Sequence, residues 1–136
     1  MKTAVDSSVL FDIVKGAPGA AKAQAALEAA LMRGSLCVCA VVVAELGRYF
    51  KQGQDLQDFL VDCQIDYDPI AAPAAMEAAR IMREYAKNKG PRDRVAPDFL
   101  IGAHALVQTD ALLSNDGGFF RHYFAKLQVI TPHGVV

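Results

Sequence analysis

The sequence predicts an α/β domain with a mostly parallel sheet covered by helices on both faces. Two observations lead there. Brief apolar runs that read as buried strands alternate along the chain with longer stretches of helical periodicity. At 136 residues, 53% apolar and 21% charged, the chain also reads as one core-rich domain spanning 1–136, without repeats, linkers or low-complexity segments.

Thr3-Ala4-Val5 is the first strand, ending at Asp6-Ser7-Ser8. Val9, Leu10, Ile13 and Val14 then recur at helical spacing until Gly16 and Pro18 break the helix. Gly19 to Arg33 is an alanine-rich second helix, with Ala26, Leu27, Ala30 and Leu31 on one stripe and Gly34 closing it. Leu36 to Ala40 is the second strand. Val41 to Phe50 is β-prone, yet Val42, Leu46 and Tyr49 fit a helix, and a strand prolonged to Phe50 would be implausibly long. After Gly53, Asp55 to Cys63 is a further helix with Leu56, Phe59, Leu60 and Cys63 inward. Ile65 to Ile70 is the third strand. Pro73 opens a long helix to about Lys89, with a stripe of Met76, Ala79, Ile81, Met82, Tyr85 and Ala86. The next helix has Pro97 in its first turn, Asp98 where the helix dipole favours a carboxylate, and Phe99, Leu100, Ala103, Leu106 and Val107 at helical spacing. Ala111 to Leu113 is a strand that stops at Ser114-Asn115-Asp116-Gly117-Gly118. Phe119 to Phe124 is a short aromatic helix, and Leu127 to Ile130 the last strand.

No apolar run reaches membrane-spanning length, because Glu45 and Arg48 interrupt the greasiest stretch. Asp6 and Asp12 rule out a signal peptide over Met1 to Val14, so the chain reads as cytoplasmic. Cys37, Cys39 and Cys63 are odd in number and have no histidine partners nearby in sequence; they read as small buried hydrophobes. The net charge of −1 gives no global pull towards nucleic acid. Arg80, Arg83, Lys87, Lys89, Arg92 and Arg94 form a local basic cluster against Glu84 and Asp93, readable as a solvated face or as a phosphate-binding one.

In a parallel sheet, strand C-termini and helix N-termini share the edge where sites are built. Asp6 ends the first strand, Asp98 opens a helix, and Asp116 follows the strand after that helix, so the three can converge. Glu45 lies among Val41, Val42, Val43, Ala44 and Leu46, where a lone carboxylate is costly without compensation. Each acid alone has a plainer use. Asp6 could be an N-cap, Glu45 a solvent-facing partner of Arg48, Asp98 a first-turn acid and Asp116 a turn residue. Together the carboxylates would repel and raise one another's pKa without cations. An all-oxygen set suits Mg²⁺ or Mn²⁺, and two such ions ~3.5–4 Å apart support hydrolysis of a phosphodiester.

Asp6-Ser7-Ser8-Val9-Leu10, Val43-Ala44-Glu45-Leu46, Asp98 to Ala105 and Leu112 to Phe119 resemble, in this order, the signature segments of PIN-domain ribonucleases. They look most like the VapC toxins of bacterial toxin–antitoxin pairs, and the resemblance spans nearly the whole chain. It implies a PIN-like three-layer sandwich on a five-stranded, mostly parallel sheet. It also implies a Mg²⁺- or Mn²⁺-dependent endoribonuclease with one or two ions, a cognate antitoxin and a homodimer. By position, Asp6 and Asp98 would be the principal metal ligands. Glu45 would complete the site directly or through water, and Asp116 would hold a metal or its water. Ser7, Ser114 and Asn115 would steady the acids, with Ser114 standing where these proteins often have threonine. Arg48, Lys51, Arg92 and Arg94 are candidates for gripping RNA phosphates. His104 sits on the apolar side of its helix and reads as a core or supporting residue. Phe119, Phe120, Tyr123 and Phe124 could stack on bases, though core packing is the simpler use.

Three other readings compete. Aspartyl-phosphate chemistry would use an acid after the first strand, but haloacid-dehalogenase-like phosphatases want a second aspartate where Ser8 stands. A receiver domain wants adjacent early acids and a lysine near the last strand, for which Lys126 lies too early. A non-catalytic PIN-like module is the stronger alternative, with Val41–Phe50 and Leu56–Cys63 forming an apolar groove for a partner helix.

Overall fold

The protein is described here by a computed structural model covering residues 1–88 and 95–135. The chain runs β1 (Lys2–Val5), α1 (Ser7–Lys15), α2 (Ala20–Arg33), β2 (Ser35–Val38), α3 (Ala40–Leu46) and a 3₁₀ turn (Gly47–Tyr49). It continues α4 (Gly53–Asp62), β3 (Ile65–Tyr67), α5 (Ala72–Lys87), α6 (Ala96–Gln108), β4 (Ala111–Leu113), α7 (Gly117–Tyr123), β5 (Val129–Thr131) and β6 (Gly134–Val135).

The sheet order is β3-β2-β1-β4-β5-β6. The first five strands pair in parallel, with Ala4 opposite Cys37 on one side and Leu112 on the other. The parallel part is the predicted one. A two-residue edge strand, β6, adds an antiparallel pair to β5 that the sequence reading lacks, because so short a segment carries no periodicity. Thr3-Ala4-Val5, Leu36-Cys37-Val38 and Ala111-Leu112-Leu113 are all buried. Consecutive strand residues point to opposite faces, so burial of every residue in a run means that both faces are covered. Helices supply the cover: α1 packs on α2 and α3, and α5 packs on α6.

Four apolar assignments need correction. On α5 the inward face is Ala74, Ala78, Ile81 and Tyr85, while Met76, Met82 and Ala86 are exposed. The inward set repeats every three to four residues, and its two alanines let α5 lie close against α6. Val107, at the end of the α6 stripe, is exposed as well. Cys37, Cys39 and Cys63 are free thiols, the first two buried. No helix among the described residues is long and apolar enough to cross a membrane.

Candidate active site

The strand order reverses between β1 and β4, so the carboxy ends of these neighbours form the crevice in which open α/β sheets build sites. Asp6 leaves β1 at this point, its N–H donating to the Leu113 carbonyl of β4 at 2.9 Å. It occupies the N-cap position of α1, yet its side chain makes no capping hydrogen bond, so the plain capping role fails. The carboxylate, only 7% exposed, accepts instead from Ser114 Oγ at 2.7 Å and Ser8 Oγ at 3.0 Å.

Serine hydroxyls organise the other acids. Ser7 Oγ lies 2.8 Å from Glu45 Oε1 and 3.5 Å from Asp6 Oδ1. A hydroxyl has one proton, and the distances give it to Glu45, which ties α1 to α3. Glu45 is therefore held towards Asp6 and not by Arg48, which lies over the Phe11 and Tyr49 rings. Ser114 Oγ donates to Asp6 while accepting the Asp116 N–H at 2.9 Å, so one side chain links two acids. The Asn115 N–H donates to Ser8 Oγ at 3.1 Å, and its Nδ2 donates to the Ser8 carbonyl and to Asp12. The loop after β4 is thereby pinned to the start of α1. Gly117 opens α7 close beside Thr131, where an added Cβ would stand 3.2 Å from the threonine methyl.

Asp98 stands in the first turn of α6, as predicted. Burial pushes Asp6 above the usual carboxylate range, and the negative charge of Asp98 adds to the shift. The Ser114 and Ser8 hydroxyls pull the other way without cancelling it. Glu45 through Ser7, Asp116 through Ser114 and Asp98 through its field all act on one region around Asp6. The arrangement is open. Among the described residues no three of these acids bring carboxylate oxygens within 4.8 Å of one another; the trio that does meet that distance is Cys37, Asp68 and His104.

That trio brings His104, distant in sequence, beside Cys37. His104 is buried as expected, but it is paired: its Nε2 lies 2.8 Å from Asp68 Oδ2. Gln108 Nε2 donates to the same oxygen at 3.2 Å, and Lys2 Nζ lies 3.2 Å away. Burial alone would raise the Asp68 pKa, but the His104 and Lys2 contacts outweigh it and hold the group below its usual value. Burial pushes the Cys37 thiol up to about 12, so it stays protonated. An acid already saturated with donors beside a neutral thiol reads as a clasp joining β1, β3 and α6. Because the folded pKa lies below 3.8, the clasp stabilises the protein above that pH and loses its contribution as the acid protonates at lower pH. Asp68→Ala is expected to cost about 1–3 kcal/mol at neutral pH. In urea unfolding the difference from the parent should shrink in strong acid; a constant difference across that range would refute the assignment.

Arg48 and Lys51 are exposed, and Arg92 and Arg94 lie outside the described residues. In the wider basic cluster Arg80 is paired with Glu77 and Glu84 on α5, which fits a solvated face; Lys89 also lies outside the described residues. Phe119, Phe120 and Phe124 are buried against one another and serve packing.

A model of the PIN domain matches residues 3–125. The chain belongs to the PIN domain family. Among curated proteins, none is significantly similar to it in sequence. In fold this PIN domain is similar to VapBC2 from Rickettsia felis, solved bound to a DNA fragment from its promoter, at 17% identity and a TM-score of 0.76, covering 96% of this chain and 98% of that one. It is also similar to VapBC-1 from nontypeable Haemophilus influenzae, at 15% identity and a TM-score of 0.73, covering 98% and 99%. FitAcB from Neisseria gonorrhoeae aligns at 24% identity and a TM-score of 0.67, covering 96% and 98%. At these identities the likeness speaks for the PIN fold alone.

Proposed function

We propose that this PIN domain is a Mg²⁺- or Mn²⁺-dependent endoribonuclease that acts as the toxin of a toxin–antitoxin pair. The observation that carries the reading is the serine wiring of the acids: Ser7 and Ser114 tie Glu45 and Asp116 to the buried Asp6 at the switch point of the sheet. A buried carboxylate with a second acid acting on it is costly in isolation, and all-oxygen donors suit a hard divalent ion. Asp6 and Asp98 would be the main ligands, with Glu45 and Asp116 completing the set directly or through water. Bound there, one or two ions would activate water and stabilise the leaving oxygen, giving a 5′-phosphate and a 3′-hydroxyl. The chain's own part is orientation: Ser114 fixes the Asp6 rotamer, Ser7 fixes Glu45, and Asn115 holds the Asp116 loop.

Incubating purified protein with RNA and Mn²⁺, and mapping both product ends, tests the reaction. The expected result is cleavage that stops on chelation, together with a rise in melting temperature on adding Mn²⁺. Metal-independent cleavage, or none with any RNA, would overturn it and leave the partner-binding module as the alternative. Ser114→Ala is expected to lower activity by ~10–100-fold through misorientation of Asp6. Activity at the parent level would remove Ser114 from the site.

An antitoxin partner is supported by a neighbour of this fold solved as a toxin–antitoxin complex from Klebsiella pneumoniae. On this chain the surface of α3 and α4 offers Phe50 packed on Phe59, at a 5.5 Å centroid separation, and an exposed Val61. A basic antitoxin residue entering the acid cluster would compete with the metal. Mg²⁺ titrated into the free protein and into the complex would then bind more weakly to the complex. A homodimer is part of the same proposal, and sedimentation of the free protein tests it.

A further inference from the structure

Two helices leave the acid cluster side by side and carry a second pattern that the acids do not use. Ser7, Phe11 and Lys15 stand four residues apart on α1, so they share one face, ~6 and ~12 Å along the axis from the first. Ser7 meets Glu45, and one turn beyond Glu45 come Arg48 and Tyr49. The Phe11 and Tyr49 rings pack at a 5.0 Å centroid separation. Lys15 Nζ lies 5.4 Å from the Phe11 ring centre and 5.0 Å from that of Tyr49; the Arg48 guanidinium lies at 5.9 and 5.3 Å. Lys15, with Arg48 nearby, draws the Tyr49 phenol below its ordinary pKa.

Two exposed cations therefore share one pair of rings, despite their mutual repulsion. Neither makes an ion pair among the described residues, although Arg48 is three residues from Glu45, a spacing that permits one on a helix. Cations held on aromatic faces and left without a carboxylate can receive an anion. Their place at the end of a track that starts from the acids selects what kind. A polyanion with a flat group between its charges fits cations flanking an aromatic wall, and single-stranded nucleic acid has that form.

We infer that Lys15, Arg48, Phe11 and Tyr49 form a seat for the single-stranded RNA that flanks the scissile phosphate. Phosphates would sit on the two cations, and an unstacked base would pack on the ring pair. The inference rests on the nuclease reading of the acid cluster, which it extends to substrate form: single-stranded in preference to duplex.

A fluorescent single-stranded oligoribonucleotide, titrated into Asp98→Asn protein so that it stays intact, tests the seat by anisotropy over a range of salt. Lys15→Ala with Arg48→Ala should weaken binding at least ~10-fold at low salt. The pair should also flatten the slope of log affinity against log salt by ~1.4, about 0.7 for each cation. Tyr49→Ala should weaken binding without changing the slope, while Tyr49→Phe should bind like the parent. Arg48→Lys should restore the slope, which a structural role for the guanidinium stack would not predict. Unchanged affinity and slope in the double variant would overturn the seat and leave the nuclease reading intact. Equal affinity for a duplex of the same length would overturn the single-strand preference. Should the slope flatten in a protein that cleaves nothing when Asp98 is restored, the seat stands and the nuclease reading falls. Loss of binding to an acidic partner protein, with RNA binding unaffected, would assign the patch to that partner and overturn the inference.

Discussion

Asp98→Asn is expected to abolish RNA cleavage, by ~10³-fold or more, and to leave the fold intact. The size follows from what a metal-bound phosphoryl oxygen contributes, several kcal/mol of transition-state stabilisation at a tenfold rate change per ~1.4 kcal/mol. The fold should survive because Asp98 sits half-buried in the first turn of α6 and not in the core. Its effect on stability has a definite sign. Asp6 has a pKa above 3.8 in the folded protein, so the folded state holds that proton more tightly than the unfolded chain. Stability is then greatest below that pH and falls as pH rises from 3.8 to the raised folded value. Removing the Asp98 charge relieves part of this shift. Without metal at neutral pH, Asp98→Asn should therefore melt at or above the parent temperature, and it should gain less than the parent from added Mn²⁺. Cleavage that persists in the variant with the same product ends would show that the chemistry lies elsewhere.

Gly102→Ala should destabilise the protein although helix propensity alone favours alanine there. An added Cβ would stand 2.5 Å from two carbons of the Phe124 ring. That ring is 1% exposed and packed on Phe119 and Phe120, with no open side to turn towards. Helix propensity favours alanine by ~1 kcal/mol, while overpacking a dense interior costs ~1–3 kcal/mol. A ring that must move by about an ångström belongs at the upper end, so the net effect is a destabilisation of ~1–2 kcal/mol, seen as a fall in melting temperature of roughly 5 °C. The displacement also tilts α6 one turn below Asp98, so activity should fall with stability. Gly118→Ala is the control, since a Cβ there meets nothing within 4 Å. Equal melting of the two variants would refute the packing argument.

Much of the site was legible because its residues sit where secondary structure changes. Asp6 ends β1, Asp98 opens α6 and Asp116 opens α7, and a parallel sheet sends all three places to one edge. Glu45 stood out because a carboxylate among valines needs a reason, and Ser7 supplies it. The clasp of Asp68, His104 and Lys2 was not legible. Its members are distant in sequence and meet only through the β1–β2–β3 register, which no local pattern encodes. The inward face of α5 was misread for a different reason. Methionines outweigh alanines in any hydrophobic stripe, yet close helix packing favours the alanines. The ring pair with its two cations escaped notice because Phe11 and Lys15 belong to α1 and Tyr49 to the turn after α3, so neither segment displays the pattern alone.

The pairing of Thr3 with Ala111 makes the first strand wait for nearly the last. During synthesis on the ribosome, Asp6 and Glu45 emerge early, but Asp6 gains its Ser114 contact only once β4 has been delivered beside β1. A translation product interrupted within α5 holds neither Asp98 nor that serine. Such a fragment lacks the assembled acid cluster, so the site would form only in a nearly finished polypeptide.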